Sequence, residues 1–159
     1  MSLNIKEVEN VSKLKPFKRY QYFLRKVADF EELWTIVDEN NEISLSHIDN
    51  SKLISFWSAK DFIKSNLSGN WKKHKPEKIG LDKLGKKIIP LIIENNYLIN
   101  VFPVNGKSGF VVNIEEFAGQ LLFETATKRR KCLRFNDTGR KFLFNPFLKL
   151  KLGILLIDS

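Results

Sequence analysis

Apolar positions in the first third of the chain change period once. From Phe17 to Phe30 they fall at Phe17, Tyr20, Phe23, Leu24, Val27 and Phe30, the three-and-four spacing of one helical stripe. Pro16 stands where a helix begins, and the polar residues before it predict a flexible N-terminal segment over 1–16, frayed or loosely helical. The period then shortens. Leu33–Val37 is rich in strand formers, Ile43–Ser46 alternates, and Asp38-Glu39-Asn40-Asn41-Glu42 between them is turn chemistry. Asp49-Asn50-Ser51 makes another turn before a third strand over Leu53–Trp57, so the simplest arrangement is a three-stranded antiparallel meander.

Ser58 is placed to cap a helix over Ala59–Leu67, with Asp61 at its third position facing the free amides. Ser68-Gly69-Asn70 stops it, and residues 71–80, punctuated by Pro76 and Gly80, read as irregular. Leu81, Leu84, Ile88, Leu91 and Ile92 restore a helical spacing that Pro90 kinks or divides. Tyr97–Val104 and Phe110–Asn113 read as a later hairpin, and Asn113 as the cap of a last helix with Phe117, Leu121 and Leu122 on its apolar face. The fold class is therefore α+β: an antiparallel sheet, meander plus later hairpin, packed against three or four helices.

Composition changes this picture in one place. The chain of 159 residues has 27 basic and 18 acidic side chains, net +9. Residues 125–159 hold nine of the basic and two of the acidic ones, +7 of that total, so the rest of the chain is nearly balanced. This divides the chain into a flexible segment (1–16), an α+β domain (17–124) and a basic, apolar C-terminal extension (125–159). Within the extension Leu148, Leu150 and Leu152 alternate with Lys149 and Lys151 in a strand pattern. There is one cysteine, Cys132, so no intrachain disulfide forms, and no apolar run reaches the ~20 residues of a membrane span. These features, with no signal-peptide pattern at the start, predict a cytoplasmic protein without membrane contact.

Arg19-Tyr20, Phe23, Lys26-Val27-Ala28-Asp29, Trp34, Phe56-Trp57, Trp71, Pro76, Val101-Phe102-Pro103, Gly106 and Val111-Val112 follow one another in an order that resembles the bacterial family known as domain of unknown function 2750. The resemblance covers about 17–122. It implies a compact bacterial α+β domain and carries no catalytic residues over. The order of elements is also similar to that of the N-terminal domain of the enhanced-serine-sensitivity family.

Gly106-Lys107-Ser108 has the ending of a phosphate-binding loop, which needs a further glycine five positions earlier and a helix after it. Position 101 is valine and Gly109 leads into a strand, so Asn105-Gly106 is read as a hairpin turn exposing Lys107 and Ser108. His47 and His74 have no ligand-type neighbours at metal-binding spacing. The expected site is thus one of partner binding, with no catalytic, cofactor or metal residues. Its candidates are Lys107 and Ser108 at the turn, Trp71, Lys72 and Lys73 in an aromatic–basic loop, and Arg129 and Arg130 in the basic run. The first expectation is a protein-interaction module of the adaptor or immunity kind, with another bacterial protein as partner. The second is nucleic-acid binding through the extension and the Trp71 loop, and the third a hydrolase built on a histidine.

Overall fold

The computed structural model describes residues 3–135. The turn at 136–139 and the alternating run at 148–152 lie outside the described residues, as does the side chain of Cys132. The N-terminal segment behaves as the sequence suggests only in part. Residues 5–12, where the sequence predicts a flexible segment, form α1 (Ile5–Ser12), started by Asn4, whose side chain accepts the Lys6 amide at 3.0 Å. Helix α2 (Pro16–Phe30) begins with its proline at the first turn. Its stripe is buried at Tyr20, Phe23, Leu24 and Val27, while Phe17 and Phe30 at the two ends stay about half exposed. Glu31 ends it in the left-handed conformation, φ 55°.

Among the described residues six strands form two sheets. β1 (Glu32–Val37) pairs antiparallel with β4 (Lys75–Gly80). β2 (Leu45–Ile48), β3 (Ser51–Phe56), β5 (Leu98–Val101) and β6 (Phe110–Val112) lie in that order in a mixed four-stranded sheet. β2–β3 and β5–β6 are antiparallel and β3–β5 is parallel. The expected meander is therefore incomplete. β1 meets the larger sheet through the single bridges Trp34–Trp57 and Val37–Ile43 and through the Thr35 hydroxyl, which donates to the Ser55 carbonyl at 2.9 Å, and spends its ladder on β4. Pro76, which suggested irregular chain, is tolerated because β4 is an edge strand.

The segment after β3 also departs from expectation. Residues 60–66 form two 3-10 turns, Lys60–Phe62 and Lys64–Asn66, in place of an α-helix, and the Ser58 side chain makes no cap. Asn66 supplies the reason. Its amide nitrogen Nδ2 donates to the Phe62 carbonyl at 3.2 Å, the oxygen its own backbone N–H would take in an α-helix, while that N–H turns to Ile63. Farther on, α3 (Leu81–Lys83) and α4 (Ile89–Asn95) are joined by a π-helical stretch, Leu84–Ile88. The wider turn lies immediately before Pro90, where the ring would crowd a preceding carbonyl and no N–H is available.

Helix α5 (Ile114–Phe135) starts as its sequence indicates, the Glu116 amide donating to Asn113 Oδ1 at 2.9 Å. It runs through residue 125, where the sequence suggests a separate extension. Thr125 is buried, 2 % exposed, its hydroxyl donating to the Leu121 carbonyl at 2.8 Å. Helices α2 and α5 pack together over one sheet face, formed by Ile54, Phe56, Ile99, Val101 and Val112. Phe117 is the hinge of that layer, in ring contact with Phe23 (6.1 Å) and Phe56 (5.8 Å).

Candidate functional site

The connection between β5 and β6 is short and held unusually firmly. Asn105 and Gly106 both have positive φ, 51° and 75°, and Val104 and Lys107 exchange both backbone hydrogen bonds, at 3.1 and 2.9 Å. This is a two-residue hairpin turn of the kind Asn-Gly favours. The Gly-Lys-Ser stretch is followed by a strand and the Lys107 amide is spent on Val104, so it forms no phosphate cradle.

Below the tip the chain is fixed by side chains from four different elements. Phe102 is fully buried with φ 61°, a conformation that costs an aromatic residue about 1–3 kcal/mol. Its N–H donates to Phe56 O at 2.8 Å, and its carbonyl accepts Arg19 Nε from α2 at 3.0 Å. The next carbonyl, Pro103 O, accepts both Trp57 Nε1 (3.0 Å) and Asn66 Nδ2 (3.2 Å). On the return side Asn100 Oδ1 accepts the Gly109 amide at 2.8 Å. A Cβ at Gly109 would stand 1.9 Å from the Val101 carbonyl oxygen, so only glycine permits this approach. Arg19, 6 % exposed, has no carboxylate partner among the described residues; its Nε donates to the Phe102 carbonyl and its Nη1 to that of Leu14, and burial lowers its pKa from the usual guanidinium value.

Asn105, Gly106, Lys107 and Ser108 are exposed above this base. Beside them β6 is an edge strand carrying Phe110, stacked on Tyr20 (4.8 Å) and met edge-on by Phe17 (5.4 Å). Phe17 is partly exposed there, and Val111 is partly exposed on the other face of the strand. The Tyr20 hydroxyl is buried without a partner among the described residues, and burial, aided by Glu116, pushes its pKa above the usual phenol value.

The other candidates lie on separate elements. Trp71 is half-buried against the core and anchors its loop, leaving Lys72 and Lys73 exposed. These two line an open cleft of about 430 Å³ with Asp38, Glu39, Asn40 and His74, and Lys73 pairs with Glu39 at 3.6 Å. His74 is half-buried with Nδ1 enclosed, and His47 is exposed on β2; neither imidazole hydrogen-bonds a carboxylate or hydroxyl among the described residues. Among those residues no group of His, Cys, Asp and Glu is arranged to hold a metal ion, and no helix is long and apolar enough to cross a membrane.

The basic run on α5 divides by role. Lys128 Nζ donates to the carbonyls of Ala28 (3.2 Å) and Asp29 (2.8 Å) and pairs with Asp29 Oδ1 at 3.2 Å, closing the C-terminus of α2. Arg129 and Arg130 are exposed.

Arg19, Trp57, Asn66 and Asn100 were not marked by the sequence as site residues. Arg19 carries the clearest signal in retrospect: the spacing 19, 23, 27 puts it in phase with the buried stripe.

The family model described as "Protein of unknown function (DUF2750)" matches residues 20–121, from α2 into α5, and the chain belongs to that family. No curated protein and no solved structure matches it.

Proposed function

We propose that this member of the family is a protein-interaction module that presents the tip Asn105–Ser108 to another protein. The observation that carries the reading is the contrast within one loop. Four exposed residues stand on a base held by buried side-chain bonds from α2, the end of β3, a 3-10 turn and β5. Such fixation lowers the ordering cost of binding, which is how preorganised loops gain affinity. Lys107 offers a cation, Ser108 a hydroxyl, and Phe17, packed on Phe110, an apolar flank. That combination suits an acidic protein segment with an apolar residue beside its carboxylate.

Site-specific photo-cross-linking tests the reading. A photoreactive residue at Lys107 should give a discrete protein adduct in an extract of the source organism, absent when the same residue is placed at exposed Lys52 on β3. Lys107→Glu should reduce the adduct at unchanged thermal stability. Identical adducts from both positions, or none from Lys107, would overturn it.

Exposed Arg129 and Arg130, followed by exposed Lys131, favour a second reading, contact with nucleic acid along α5. It requires a mobility shift at low salt that disappears in Arg129→Glu/Arg130→Glu.

A further inference from the structure

Helix α1 precedes the region matched by the family, and its attachments converge on the residue beneath the tip. Val11 is its buried side chain, Leu3 and Val8 pack half-buried against the core, and Ile5 is largely exposed. Glu7 Oε1 accepts the Tyr22 hydroxyl of α2 at 2.7 Å and pairs with Lys26 at 3.1 Å. The Leu3 amide donates to Asp61 Oδ2 at 3.3 Å. Two routes lead from these contacts to Phe102. Along the first, the Tyr22 ring that Glu7 holds lies edge-on to Phe62 (5.9 Å) and Phe102 (6.3 Å), and those two rings are 4.5 Å apart. Along the second, the carbonyl of Leu14, in the link from α1 to α2, accepts Arg19 Nη1, while Nε of the same guanidinium holds Phe102 O.

We propose that α1 is a regulatory strap for the tip. Docked, it supports Phe102 in its left-handed conformation and keeps Asn105–Ser108 in the presented form; released, it loosens the tip. The regulatory meaning rests on the interaction role proposed for that tip. The physical basis is that α1 is attached through little buried surface and through polar contacts near solvent, which places it among the parts of a protein that open before the whole. A left-handed Phe persists only while its surroundings over-determine it, so removing two supports shifts the population away from it.

Hydrogen exchange on the full chain tests this, comparing wild type with Glu7→Lys and with Val11→Asp. In wild type the α1 amides should exchange through an opening smaller than global unfolding. In the variants they should exchange about tenfold faster or more, and the amides of Phe102, Val104, Lys107 and Gly109, all hydrogen-bonded, should speed up with them. Amides of β1 and β4 should not change. Release of α1 with the four tip amides unaffected would sink the strap while leaving the interaction role of the tip intact. So would folded variants in which α1 exchange is unaltered. Wild-type α1 amides that exchange only with global unfolding would sink it as well, whether or not the variants fold. Conversely, coupled exchange without a Lys107 adduct would remove the tip's binding role and keep the mechanical coupling.

Discussion

Phe102 and Gly109 hold the two sides of one loop by opposite means, a large side chain in a conformation it disfavours and the absence of any side chain. Gly109→Ala would drive a methyl group into the Val101 carbonyl, 1.9 Å away, and backbone cannot yield as a flexible side chain would. The expected loss is about 3 kcal/mol or more. Gly106→Ala meets open space and is opposed only by its φ of 75°, so about 1 kcal/mol is expected. Denaturant titration of both variants checks the order; equal losses would contradict the close approach at Gly109. The turn itself was legible, because Asn-Gly names its own conformation. The left-handed Phe102 was not. It is enforced by Arg19, Trp57 and Asn66, whose side chains arrive from distant parts of the chain.

Helices α2 and α5 follow their apolar spacing and caps closely, because each buries one face against the sheet. The failures cluster where a side chain competes with the backbone or a partner is remote. Asn66 takes the carbonyl that an α-helix would use, and β4 becomes a strand only because β1 lies beside it. The polar residues of α1 suggest no more than a loose helix, because its docking depends on Glu7 finding Tyr22 and Lys26. The hydrogen bond from Tyr22, then that from Lys26, lowers the Glu7 pKa, and burial together with Glu7 raises that of Tyr22. A depressed carboxylate pKa stabilises the fold above its unfolded value, about 4.3, and the gain is lost as pH falls through the lower folded value. Glu7 is partly exposed, so solvent screening keeps the effect small. Glu7→Gln should therefore cost about 0.5–1 kcal/mol at pH 7, and the two proteins should converge in acid. A gap that stays constant down to pH 3 would show that the ionised carboxylate is not what matters.

Across the whole molecule, charge was the signal that misplaced a boundary. The cationic run starting at Lys128 looks like the beginning of an appendage, yet Thr125 is core and Lys128 closes α2. A chain ending after residue 124 should melt several degrees below one ending after 135, since it loses a buried turn and a helix cap together, each worth on the order of 1 kcal/mol. Equal melting temperatures would mean that the second half of α5 adds nothing to the fold. The sheet order was equally hidden, for a different reason: alternation marks a strand but says nothing about which neighbour it takes.

That order governs when the molecule can become whole. β2 and β3 are joined by a tight turn and can pair within microseconds, but β3 is completed on its other side by β5, parallel to it, with Leu53 opposite Leu98. Closing this seam fixes the ends of a long intervening loop, an entropic cost that makes the pairing slow. During synthesis, then, the Leu53–Phe56 edge of β3 waits without its parallel neighbour until the ribosome has released β5. The tip that depends on Trp57, Asn66 and Asn100 is among the last features to take shape.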